Sequence, residues 1–351
     1  MPENLIGPPP KKSRSRRTDL VIAVFVLALM VAGIIWGRSG KLRDLHGNRA
    51  ETYFNGKEFG RAVEEYTEAI RHDPTCALAY ANRGSAYFNK GEFEQAIGDS
   101  NKAIELDPRL ALAYSNRGGA YLNRGDFERA IADCTRAIEL DPQLPQALAN
   151  RAGAYLNRSE FDLAIADSNQ ALKLDPNMVS AYFSRAAALQ SKGDLDRSIQ
   201  DWDQVVRLDP TLATAYSNRA AVHFRKGALQ EAIQDYYEAI RRDPKLADAY
   251  VGRGLIYQRF GDTKQALDDL GRAIELNPNL AAAYSCRGAI AVNMGDLRQG
   301  VADCSQAIEL DPRLAAAYWS RALAHSRNGD LARAQADQKK ALELDPLMGQ
   351  P

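Results

Sequence analysis

Cysteine and histidine are scarce, with four of each in 351 residues. Four thiols cannot staple a chain of this length, which excludes a disulfide framework. The histidines, His46, His72, His223 and His325, fall at no metal-binding spacing. No metal and no cofactor is therefore expected. A glycine-rich phosphate loop and a nucleophile elbow are both missing, so the chain offers no place for nucleotide or acyl-transfer chemistry. Net charge is missing as well, since 45 Lys and Arg balance 45 Asp and Glu. The balance hides a split, +5 over residues 1–42 and −5 over the rest. A mildly acidic body lacks the concentrated basic face that nucleic acid requires. These absences point away from an enzyme and away from a nucleic-acid binder.

Long apolar runs are also rare. The single example is Leu20 to Trp36, seventeen residues without a charge. As a helix it would measure about 26 Å, at the short end of what a bilayer core of roughly 30 Å requires. The expectation is a basic, disordered tail over 1–19, a transmembrane helix over 20–37 and a linker over 38–42. Five Lys/Arg precede the run and three follow it closely. That bias places the N-terminus in the cytoplasm and the remainder in the periplasm, as in a single-pass protein of a bacterial inner membrane. A cleaved secretory signal is the alternative, although the run is long for one and no small-x-small site follows.

What the chain has in abundance is repetition. Prolines fall at 74, 108, 142, 176, 210, 244, 278, 312 and 346, and arginines at 49, 83, 117, 151, 185, 219, 253, 287 and 321. Every interval is 34 residues. Nine units follow: 43–76, 77–110, 111–144, 145–178, 179–212, 213–246, 247–280, 281–314 and 315–348, with a tail over 349–351. Each reads as two helices. Glycine (Gly91, Gly125, Gly193, Gly227, Gly261, Gly295, Gly329) ends the first, because it adopts a left-handed backbone without steric cost. In the fourth repeat Ser159 holds this place, where strain is expected. A residue–proline pair ends the second helix, since proline lacks the amide donor.

Counting positions from the start of each unit, an aromatic stands at position 4 (Tyr80, Tyr114, Tyr182, Tyr216, Tyr250, Tyr284, Tyr318). A small residue stands at position 8 (Gly84, Gly118, Ala152), alanine at positions 20 and 27 (Ala96, Ala103) and proline at 32. In this the chain resembles the tetratricopeptide repeat family over residues 43–348. The resemblance implies an all-α, right-handed superhelical solenoid of stacked hairpins with a concave, protein-binding groove. Arginine at position 7 and an acid at position 23 recur in all nine repeats. They read as a structural ladder of ion pairs, or alternatively as a stripe that reads a partner.

The expected function is a membrane-tethered scaffold for protein–protein interaction that binds a peptide segment or partner protein. The alternatives are a self-associating structural component and an envelope assembly or secretion factor that holds client proteins. The membrane contact would run through Leu20–Trp36. On a helical wheel, positions 2, 6, 9 and 13 of the first helix share the face opposite the packed one. Position 6 supplies Asn48, Asn82, Asn116, Asn150 and Asn218, and position 13 supplies Asn89, Asn123 and Asn157. An amide both donates and accepts, so a column of them suits a peptide backbone. Phe183 and Trp319, at position 5, are candidate apolar anchors beside the column. Position 21 is apolar in eight repeats but Gln335 in the ninth, the mark of an array end with a polar outer face.

Overall fold

A computed structural model describes residues 39–348, and every regular element among them is a helix. Eighteen helices follow one another, the first over 39–55 and the others from Phe59–His72 to Leu331–Leu344. They divide into two compact blocks, one ending at Ala147 and one beginning at Leu148. Within each block, consecutive helices form antiparallel-type hairpins that recur with the 34-residue period.

Local chemistry sets the helix ends. The seven glycines that follow first helices all have positive φ, between 77° and 89°. Ser159 takes their place in the fourth repeat with φ 62°, and Lys57 does so in the first with φ 60°. A side chain pays a steric penalty in that region. Ser159→Gly should therefore raise stability by about 0.5 kcal/mol in urea unfolding, after the extra freedom of the unfolded glycine is subtracted. A loss of stability would show that the serine hydroxyl does more than occupy the turn.

The second helices stop by one device used nine times. The carboxylate or amide oxygen at position 31 accepts the backbone N–H two residues on, as in Asp107 to Arg109 at 2.9 Å, Asp243 to Lys245 at 2.9 Å and Asn277 to Asn279 at 3.0 Å. The intervening proline has no N–H to offer, so the turn closes through a side chain. Several second helices start on an aspartate cap, with Asp126, Asp194, Asp262, Asp296 and Asp330 each accepting the N–H three residues on.

Small residues line the close approaches of the helices, between repeats at position 3 and within a repeat at position 8. Position 3 is alanine in repeats two to nine, and Ala113, Ala147, Ala181, Ala215, Ala249, Ala283 and Ala317 are fully buried. At position 8, a Cβ on Gly118 would lie 2.5 Å from Cys134 Sγ, and one on Gly288 would lie 2.7 Å from Cys304 Sγ. Cys134 and Cys304 thus fill core space. Burial pushes the Cys304 thiol up to about 12, which keeps it unreactive.

The membrane assignment is corrected here. Among the described residues no helix is long and apolar enough to cross a membrane. The helices from Phe59 onward have 13 or 14 residues, about 20 Å, and each carries charge or amide groups along its exposed side. The segment expected to span, 20–37, lies outside the described residues, as do the tail 1–19 and residues 349–351. The transmembrane element of the fold, the membrane contact and the inner-membrane location expected from it are not supported.

Candidate binding face

The position-7 arginine of repeats two to nine forks onto the position-23 aspartate of the same repeat. In all eight pairs, from Arg83–Asp99 to Arg321–Asp337, Nε and Nη2 each donate to one carboxylate oxygen at 2.6–2.9 Å. The aspartates are 3–8% exposed. In five of the pairs Nη1 also reaches the preceding repeat: Arg83 donates to Thr67, Arg117 to Asn101, Arg185 to Asn169, Arg219 to Asp203 and Arg321 to Ser305. Hydrogen bonding to Asp235 drives the Arg219 guanidinium above its already high ordinary pKa. The charge ladder is therefore a clasp within and between hairpins, and it is not available to read a partner.

Position 6 is less exposed than the helical wheel suggests. Asn116 donates through Nδ2 to the Ala81 carbonyl at 2.9 Å and to Ser85 Oγ at 2.7 Å, both on the preceding first helix. Asn150 is buried, at 8% exposure. Asn82 hydrogen-bonds the Tyr66 hydroxyl, whose pKa burial pushes up to about 12 while Asn82 pulls it down. Asn218 is half-buried and Asn48 is exposed. In the second repeat position 6 thus faces position 24 of the repeat before it. The seventh repeat confirms this: there position 6 is Gly252, and a Cβ on it would lie 2.1 Å from the Tyr236 ring.

Position 13 remains open to solvent. Asn89, Asn123 and Asn157 are exposed, and each Nδ2 donates to the carbonyl four residues back at 2.8–2.9 Å. That bond holds the amide at the helix end, and the group still has a second N–H and its carbonyl oxygen. The two aromatic candidates separate. Phe183 packs edge-on against Trp202, with ring centroids 4.8 Å apart and planes at 85°, so it belongs to the core. Trp319 lines a cavity of about 290 Å³ in the ninth repeat with Ala322, Leu323, Leu331, Gln335 and Gln338. Gln335 and Gln338 are exposed, as a polar end requires, but Leu331 beside them is 62% exposed.

One meeting of side chains has no counterpart in the sequence reading. His46 and His72 stack with ring centroids 5.6 Å apart. They are far apart along the chain, and the first hairpin brings them together. The signal that could have found them is that each replaces the residue usual at its position.

Comparisons with known proteins agree with this architecture. Models described as Tetratricopeptide repeat match residues 111–144, 145–178, 211–279 and 315–346, and one described as TPR repeat matches 84–125 and 188–227. No curated protein matches the chain. Among solved structures, the APC/C hetero-tetramer Cut9–Hcn1 is similar over 87% of this chain and 73% of its own, with 15% identity and a TM-score of 0.64. A tetratricopeptide repeat protein from Parabacteroides merdae is similar over 71% of this chain and 98% of its own, with 20% identity and a TM-score of 0.50. At such identities the likeness speaks for the fold alone. Period, turn chemistry, helix pairing and family models coincide, and the chain belongs to the tetratricopeptide repeat family.

Proposed function

We propose that this chain is a protein-binding scaffold that holds a peptide segment of a partner along the first helices of its first three repeats. The family fold is that of an interaction scaffold, and the site decides the partner. The observation that supports this site is the exposure of Asn48, Asn89 and Asn123, at positions that share one side of the helical wheel, while the arginine–aspartate ladder is locked internally. Amide side chains can pair with a peptide backbone whatever the partner's side chains are. Asn116 is engaged with the preceding first helix and Asn150 is buried, so neither is counted in the contact with the segment.

A display library of unstructured peptides, panned on the full-length chain, supplies the probe. The reading expects binders whose affinity falls on the order of tenfold in the Asn89→Ala, Asn123→Ala double variant, as two solvent-facing hydrogen bonds are lost. Helical content and melting temperature should stay close to those of the parent. Failure to recover any binder, or binders indifferent to both substitutions, would overturn this site.

A further inference from the structure

We infer that His46, Glu68 and His72 form a site for one divalent transition-metal ion of the zinc type. The inference stands independently of the peptide-binding face.

The first repeat departs from the others at the positions involved. Position 4 is tyrosine in seven repeats and leucine in one, but His46 here. Position 30 is leucine in seven repeats and Arg242 in one, but His72 here. The fold brings these two positions together: in the sixth repeat Arg242 Nη2 donates to the Tyr216 hydroxyl at 2.8 Å, and its guanidinium lies 3.9 Å from the ring centroid. In the first repeat the same meeting place holds two imidazoles, stacked at an interplanar angle of 14°. Glu68 lies one helical turn before His72 on Phe59–His72 and so shares its face. Seven of the other eight repeats carry Lys, Arg or Gln at that position. One ligand atom from each of His46, Glu68 and His72 lies within 4.8 Å of the others.

A fourth residue orients the set. His46 Nδ1 is 2.6 Å from Glu65 Oε2. A carboxylate can only accept, so Nδ1 carries the proton and Nε2 is left with its lone pair. A carboxylate behind a histidine in this way is the usual support for a metal ligand. Position 23 is aspartate in the eight other repeats and glutamate only here, and the additional methylene lengthens its reach. Glu65 and His46 side chains are about one-fifth exposed, so the group is sheltered yet accessible. Arg71 pairs with Glu68 Oε2, which leaves the carboxylate to share between that cation and an ion.

Two imidazoles and a carboxylate, with water in the fourth place, are a familiar tetrahedral zinc set. Ligand bonds of about 2.0–2.2 Å place ligand atoms roughly 3.3 Å apart, so the three side chains must close by up to about 1.5 Å. Imidazole selects zinc, nickel or copper over magnesium and calcium, which require oxygen ligands. The ion would pin the helix over 39–55 to Phe59–His72 and so clamp the first hairpin.

Calorimetric titration of the metal-free, full-length chain with zinc chloride tests this. The expected result is one high-affinity zinc per chain and no response to magnesium. His46→Ala or His72→Ala should each weaken binding at least a hundredfold, and Glu65→Gln on the order of tenfold. The His223→Ala, His325→Ala double variant, which removes the other two histidines, should bind as the parent does. The cobalt spectrum of the unsubstituted chain should show tetrahedral ligand-field bands without thiolate charge transfer, which guards against variants that fail to fold. Absence of zinc binding, thiolate bands with cobalt, or zinc binding unchanged in both His46→Ala and His72→Ala would overturn the inference.

Discussion

Replacing Trp202, the largest fully buried side chain among the described residues, with alanine should destabilise the array by about 3–5 kcal/mol. Trp202 has no exposed surface and packs among Ala186, Val205, Ala215 and Val222. Its position, 24, is serine in Ser100 and Ser168, cysteine in Cys134 and Cys304, and otherwise Tyr66, Tyr236, Leu270 and Gln338, so the fifth repeat carries the bulkiest side chain of the column. Ala215 and Val222 belong to the sixth repeat, so the indole fills an interface between repeats as well as the core of one. In a linear array each repeat is stabilised through its neighbours, so the loss acts on two hairpins at once. Phe183 meets the indole edge-on, and its movement into the space sets how close the cost comes to the lower figure. Trp202→Phe keeps most of the volume and should cost about 1–2 kcal/mol. Urea unfolding followed by circular dichroism measures both. A cost below about 1 kcal/mol for Trp202→Ala would contradict the packing described.

The second large effect concerns the arginine clasp. Asp269 accepts Arg253 Nε at 2.8 Å and Nη2 at 2.7 Å, with side chains 9% and 14% exposed. The guanidinium also lies 4.6–5.9 Å from the ring centroids of Tyr237, Tyr250 and Tyr257. Removing the carboxylate leaves a largely sheltered cation without its counter-charge. Breaking a buried pair costs roughly 3–5 kcal/mol, and residual solvent contact reduces that, so Asp269→Ala should cost about 2–3 kcal/mol. The exposed pair Arg272–Glu275, with side chains 50% and 69% exposed, provides the contrast. Glu275→Ala should change stability by less than about 0.5 kcal/mol. Equal costs at the two sites would mean that the clasp is a surface ion pair like any other.

The repeat period was legible because its punctuation is local. A proline that cannot continue a helix and a glycine that tolerates positive φ mark the ends whatever surrounds them. Ser159 was legible as a strained turn for the same reason. Lys57 was not, because a glycine, Gly56, stands beside it and is the residue expected to take the positive φ. The ladder of positions 7 and 23 was visible as two columns of charge. Its clasp geometry was not, since sixteen residues and a turn separate each pair.

The candidate face is only partly legible from one helix in isolation. A helical wheel shows which side chains share a side, but it does not show what covers them. The preceding repeat covers Asn116, a bulky Tyr66 occupies Asn82, and Trp202 draws Phe183 inward. Asn89 and Asn123 stay exposed at the last residue of their helices. The histidines were missed for a different reason. Their spacing along the chain suggests nothing, and only the hairpin closes the distance.

The claim that a partner segment lies along the first helices is tested most directly by photo-crosslinking. A photoreactive residue would be placed in the full-length chain at Asn89 or Asn123, on first helices, and separately at Glu105 or Arg136, exposed positions on second helices. With a peptide selected on the unsubstituted chain, the account expects covalent capture from Asn89 and Asn123 and none from Glu105 and Arg136. Capture from the second-helix positions alone would contradict it.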